Sequence, residues 1–141
     1  MMNRMETPRN QLTQENTTIS DYLASPNGQN KLNQYIPNIA KRQDFQTAVI
    51  TMIANNPSLA NCDKGSIVSA ALQAINLNFP LSNQLGLCYV VPYNSKDGRT
   101  LGQFQVGWKG FVQLAHRTGM LKKIIVSEIK ENELKSWNPI T

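Results

Sequence analysis

Residues 86–119 read GLCYVVPYNSKDGRTLGQFQVGWKGFVQLAHRTG, and the order of elements in this stretch decides the fold. Leu87 to Tyr93 is apolar throughout with β-branched and aromatic members, the pattern of a strand covered on both faces. Pro92 cannot donate a ladder hydrogen bond, so it belongs near the strand's end or on an edge. Asn94 to Arg99 is a polar turn containing Asp97-Gly98, a strong hairpin signal. On the return strand Phe104 and Val106 alternate with Gln103 and Gln105, which puts both glutamines on the opposite face. Gly107 to Arg117 then reads as a helix, with Gly119 as a left-handed cap. Trp108, Phe111, Val112 and Ala115 share an apolar face that is expected to meet the core. Lys109, Gln113 and His116 share a polar face, with Arg117 beside them.

Charge converges on the same stretch. The chain has 141 residues and a net charge of +5. Residues 1–95 are almost balanced, whereas residues 96–123 carry Lys96, Arg99, Lys109, Arg117, Lys122 and Lys123 against Asp97 alone. A concentrated basic face of this kind points to a polyanionic partner over a merely solvated surface.

The rest of the chain supplies a scaffold. Residues 1–18 are polar and aperiodic and read as a disordered arm; residues 19–141 read as one domain. A short helix or a loop fits 19–24, before the break at Ser25-Pro26-Asn27-Gly28. From Gln43 to Asn55 the residues Phe45, Ala48, Val49, Met52 and Ile53 form a single helical stripe, stopped by Asn56-Pro57. A second helix runs from about Ser66 to Asn76, with Asp63 and Ser66 as candidate N-caps. Residues 76–85 form a loop, and Met120 to Ile129 reads as a further strand. The fold class is therefore α+β: N-terminal helices, a β-hairpin, an amphipathic helix and one more strand.

Several function classes find no support. No apolar run approaches the ~20 residues that span a bilayer, and the N-terminus has no apolar signal core, so a cytoplasmic protein is the default. Cys62 and Cys88 are too few for a disulfide framework. One histidine and two cysteines without short paired spacing do not supply a zinc site. No Gly-rich phosphate loop or paired-carboxylate site argues for an enzyme, which leaves a hydrolase as a distant third reading.

Single-stranded nucleic acid requires cations for phosphates, flat side chains for stacking and amides for adaptable polar contacts. This stretch holds all three. Tyr93, Phe104 and Trp108 are the aromatics in reach. Trp108 is assigned to the core by its apolar face, Phe104 is divided between core and stacking, and Tyr93 is the stacking candidate. Gly107 and Gly110 leave room for close backbone approach.

These residues have a known counterpart. Cys62-Asp63, the Ser66–Ala74 helix, LNFPLSNQLGLCYVVPY, QFQVGWKGFVQLAHRTG and the Glu131–Asn138 tail, in that order, resemble the RecT family of phage single-strand annealing proteins. The resemblance runs from about residue 40 to the end. It implies a protein that binds single-stranded DNA and pairs complementary strands in recombination, without ATP or other cofactor, as a homo-oligomeric ring or filament. A phage exonuclease and a host single-strand-binding protein are the implied partners, in a bacterial cytoplasm. It also implies DNA contacts at Gln105, Lys109, Gln113 and Arg117, positions within the family's Q-x-G-x-K-G-x-x-x-L-A-x-R-[ST]-G pattern, which specifies the first, second and fourth of them. The charge and side-chain reading adds Gln103, Tyr93, Phe104, Lys96, Arg99, Lys122 and Lys123. Family members usually continue well beyond this length, so a C-terminally truncated or partial domain is expected. The competing reading is an oligomerising interaction module that has lost DNA binding through that truncation.

Overall fold

A computed structural model describes residues 17–125 and Glu128. Within them five helices and one two-stranded antiparallel sheet form an α+β unit. Residues 1–16 of the expected arm over 1–18, most of the latter part of the expected 120–129 strand and the 131–138 tail lie outside the described residues, and Thr18 of the arm is the cap of the first helix.

The N-terminal helices are set by their caps. In α1 (Ile19–Ala24) Thr18 and Asp21 form a reciprocal capping box, and Ser25 ends the helix. The same Ser25 then opens α2 (Pro26–Tyr35): its Oγ accepts from Gly28 N at 3.2 Å. Pro26 occupies the first helical turn, where its missing N–H is not needed. The Ser-Pro-Asn-Gly break is thus a helix start. Asn38 caps α3 (Ile39–Ala54), so this helix begins four residues before the apolar stripe indicates. Phe45, Val49 and Met52 are its buried line, as the periodicity requires.

Helix α4 (Lys64–Asn76) is the centre of the unit. Asp63 is the N-cap, accepting from Ser66 N at 2.7 Å. Ile67, Val68, Ala70, Ala71, Leu72 and Ala74 are all buried. Ile67 and Val68 join Leu32, Val49 and Leu59 as side chains with essentially no exposure, each stabilising by about 1.5–3 kcal/mol relative to an exposed position. The helix ends in a Schellman turn. Phe79 N donates to Ala74 O at 2.9 Å and Asn78 N to Ile75 O at 2.8 Å, with Asn78 at φ 53° in the left-handed position.

The hairpin pairs β1 (Cys88–Asn94) with β2 (Thr100–Val106), Cys88 opposite Val106 and Asn94 opposite Thr100. It is fastened to the N-terminus of α4. Asp63 N donates to Thr100 O at 2.8 Å, Gly102 N donates to Ser66 Oγ at 2.8 Å, and a Cβ at Gly102 would lie 2.9 Å from Ile67 Cγ1. A second small core of Ala74, Phe79 and Cys88 is completed by Leu87, Phe104, Val106 and Leu114. Burial pushes the Cys62 and Cys88 thiols above the usual thiol range, and both are free.

Three expectations need correction. β1 is covered on one face only: Cys88 and Val90 are buried while Tyr89 and Val91 are half-buried and Tyr93 is exposed. Residues 120–125 form no strand, and Met120, Leu121, Ile124 and Ile125 are exposed; among the described residues the sheet is the β1–β2 pair alone, and this segment does not join it. Finally, Trp108 is 72% and Phe111 61% exposed while Val112 and Ala115 are half-buried, so the aromatic part of the apolar stripe of α5 (Trp108–Arg117) faces away from the core. The reason is glycine. A Cβ at Gly110 would collide with Leu87 O, and one at Gly107 with Gly86 O and the Tyr89 ring. The helix docks through its bare side, which admits backbone-to-backbone contact that no apolar side chain permits.

Candidate nucleic-acid interface

Strand alternation and the observed register give the hairpin two chemically different faces. Cys88, Val90, Phe104 and Val106 point inward to the cores. Tyr89, Val91 and Tyr93 point outward, directly opposite Gln105, Gln103 and Leu101 respectively. The outer face is thus a platform of two tyrosines, two glutamines, a valine and a leucine, carrying no charge. Seven residues per strand make it roughly 20 Å long.

Cations stand at its ends. At the tip, Gly98 takes φ 82° and Arg99 pairs with Asp97, Nε to Oδ2 at 2.8 Å. Hydrogen bonds from Ser95 and then Arg99 hold the Asp97 carboxyl down at about 2. Lys96 is exposed and makes no ion pair among the described residues. At the base, Gly86 adopts φ 68°; a Cβ there would lie 3.2 Å from Tyr89 Oη and 3.4 Å from Lys109 Cδ. The Lys109 stem therefore lies across Gly86 beside Tyr89, and its Nζ stands 5.7 Å from the centre of the Trp108 ring. The distance is within cation–π range, and Lys109 is exposed to solvent.

The structure joins some of the expected residues and separates others. Gln103, Gln105, Tyr93 and Lys109 belong to one continuous surface through Tyr89. Lys96 and Arg99 extend it at the tip. Gln113 is half-buried on α5, one turn beyond Lys109, and His116 is exposed. Lys122 and Lys123 are exposed beyond the helix. Phe104 is a correction: it lies on the inner face, packed against both cores, and is not available for stacking there. Arg117 is engaged elsewhere. Its Nη1 donates to Leu77 O, its Nη2 donates to Asn78 O at 3.2 Å, and its guanidinium stands 5.2 Å from the centre of the Phe79 ring. Tyr89 was missed by the sequence reading. It lies four residues before Tyr93 on the same strand, so side-chain alternation alone puts both rings on one face.

Among the described residues no cluster of His, Cys, Asp and Glu is arranged to hold a metal ion, and no helix is long and apolar enough to cross a membrane.

The RecT family profile matches residues 43–141, which take in α4, the hairpin and α5 entire. The chain belongs to the RecT family. Among relatives, it is 34% identical over 128 residues to the uncharacterized protein YqaK of Bacillus subtilis (strain 168), covering 91% of this chain and 43% of that protein. It is 26% identical over 122 residues to Protein RecT of Escherichia coli (strain K12), covering 84% of this chain and 45% of that protein. This RecT-family chain thus spans less than half the length of either relative. Its first two helices precede the matched region and stand on their own capping signals.

Proposed function

We propose that this RecT-family chain binds single-stranded DNA on the outer face of the hairpin and the adjoining start of α5, and that it takes part in annealing complementary strands during recombination. The observation that carries the reading is the uncharged aromatic–amide platform of Tyr89, Tyr93, Gln103 and Gln105 with Lys96 and Lys109 at its two ends. Tyrosine rings stack on any base, glutamines adapt to base and sugar edges, and lysines meet phosphates without reading sequence. Gln113, Lys122 and Lys123 extend the surface towards the end of α5. Nothing in the platform demands ATP or a metal, because pairing needs strands held with bases accessible and no bond broken.

Family membership and the exposed Trp108 and Phe111 also support self-association, with a phage exonuclease and a host single-strand-binding protein as wider partners in a bacterial cytoplasm. The same apolar surface favours the second reading, an oligomerising module without DNA binding, since exposed aromatics on one helix side are unusual on a monomer.

Titration of a fluorescent single-stranded oligonucleotide at several salt concentrations tests the proposal. Affinity should fall steeply with salt, and Lys109→Ala should reduce the slope of log K against log salt by about 0.7, the value for one phosphate contact on a single strand. The loss should be similar for oligonucleotides of different sequence. Oligomers that show no DNA binding at low salt would establish the interaction module instead.

A further inference from the structure

Arg117 belongs to the charge cluster by sequence, yet its guanidinium is turned to the end of another helix. The Schellman turn closing α4 uses the carbonyls of Ala74 and Ile75. Past Asn76, the carbonyls of Leu77 and Asn78 receive the two Nη groups of Arg117. Phe79, the residue after them, is 3% exposed and presents its ring to the guanidinium at 5.2 Å. Three consecutive residues of α4's exit turn thus hold one side chain from the last turn of α5, about 40 residues later in sequence. The cation also stands at a helix C-terminus, where the aligned peptide dipoles favour positive charge.

We infer that Arg117 is a positioning residue, a clamp that sets the seat of α5 and through it the place of Lys109 on the DNA-facing surface. This inference rests on the single-strand binding reading for its functional consequence, though the clamp itself does not. The helix has two points of attachment. Its N-terminal end is held by glycine contacts of Gly107 and Gly110 against Gly86 and Leu87. Its C-terminal end is held by Arg117 on Leu77 and Asn78. Between them the half-buried Leu114 touches the small core of Ala74, Phe79 and Cys88. Without the clamp the helix turns about its glycine end, and Lys109, between Gly107 and Gly110, keeps its backbone place but changes the direction in which its side chain leaves the helix. The geometry also says why the residue is arginine. A planar fork reaches two carbonyls and a ring face together; a lysine ammonium is a point donor on a flexible stem.

Arg117→Lys separates the clamp from a phosphate contact, because it keeps the charge and removes the fork. If Arg117 met phosphate directly, Arg117→Lys would keep the wild-type salt slope and most of the affinity, and Arg117→Ala would lose about 0.7 from the slope. The clamp predicts that Arg117→Lys and Arg117→Ala behave alike, each weakening oligonucleotide binding roughly five- to thirtyfold, within the range of coupled neighbours. It also predicts that either change adds little once Lys109→Ala is present. Hydrogen exchange of the α5 amides, read without DNA, should rise in both Arg117 variants. Phe79→Leu, which keeps an apolar side chain and removes the ring face, should raise it less and serves if either Arg117 variant fails to fold. An Arg117→Lys variant with wild-type affinity, slope and α5 exchange overturns the clamp. Wild-type protein that binds no single strand, with α5 exchange still raised by Arg117→Lys, overturns the DNA reading and leaves the clamp intact.

Discussion

Gly110→Ala sets two effects of opposite sign against each other at one atom. In an isolated helix the change stabilises, since alanine exceeds glycine by about 0.8–1 kcal/mol in helix propensity. In this fold the new Cβ would collide with the carbonyl oxygen of Leu87 and lie 2.9 Å from Val106 Cγ1. The valine methyl can yield by a rotamer change, but the carbonyl is main chain, on the residue just before β1, and cannot. That same oxygen accepts the hydrogen bond from Gly107 N at 2.9 Å, so displacing the helix also lengthens this bond. Overpacking costs about 1–3 kcal/mol and a weakened hydrogen bond about 1 kcal/mol. Net of the propensity gain, destabilisation should be about 1–3 kcal/mol, a fall in Tm of roughly 3–10 °C for a domain of this size. Thermal unfolding followed by circular dichroism measures it, with Gly119→Ala as the comparison. Gly119 has φ 71° and nothing within 4 Å of its built Cβ, so its change carries only the left-handed backbone cost of about 1–2 kcal/mol. A Gly110→Ala protein as stable as wild type, or more so, would show that propensity wins and that α5 does not dock through its glycines.

Ser66→Ala should lower stability by about 1–3 kcal/mol in denaturant titration, because Gly102 N, on a buried residue, loses the oxygen it donates to at 2.8 Å; an unchanged midpoint would remove this fastening of hairpin to α4. Asn78→Gly should leave Tm equal or higher, while Asn78→Ala should cost about 1 kcal/mol, since Asn78 holds the left-handed position at φ 53°; equal Tm values for the two would argue against a Schellman closure. Asp97 should titrate at about 2, below its ordinary 3.8, first through Ser95 and then through Arg99. Its contribution to the turn is then fully present above pH 3.8 and is lost as pH falls through about 2. Carboxyl-carbon NMR should place the midpoint there and move it upward in Ser95→Ala; a midpoint near 3.8 in the wild type would show the turn contacts to be absent in solution.

Local signals and pairwise spacing were enough for much of this protein. Phe45, Val49 and Met52 at helical spacing, Asp63 before an alanine-rich run, and Asp97-Gly98 between two apolar stretches each depend on neighbours a few residues away. Local chemistry determines such features, so helices α3 and α4 and the hairpin were legible, as were Gln103 and Gln105 on one face. The candidate cations were legible too, because charge density along the chain requires no fold to be seen. Tertiary structure decided which side of each element met the body. The apolar stripe of Trp108 and Phe111 has the signature of a buried face, yet the glycine side offered a closer approach to Leu87 and Gly86 and won the contact. That choice left the aromatics exposed and brought Lys109 beside Tyr89. It also separated Arg117 from its charge neighbours by giving it two carbonyls about 40 residues away in sequence. Long-range packing sets these outcomes, because the partner surface decides which face of an element is complementary, and a single stretch of sequence does not contain its partner.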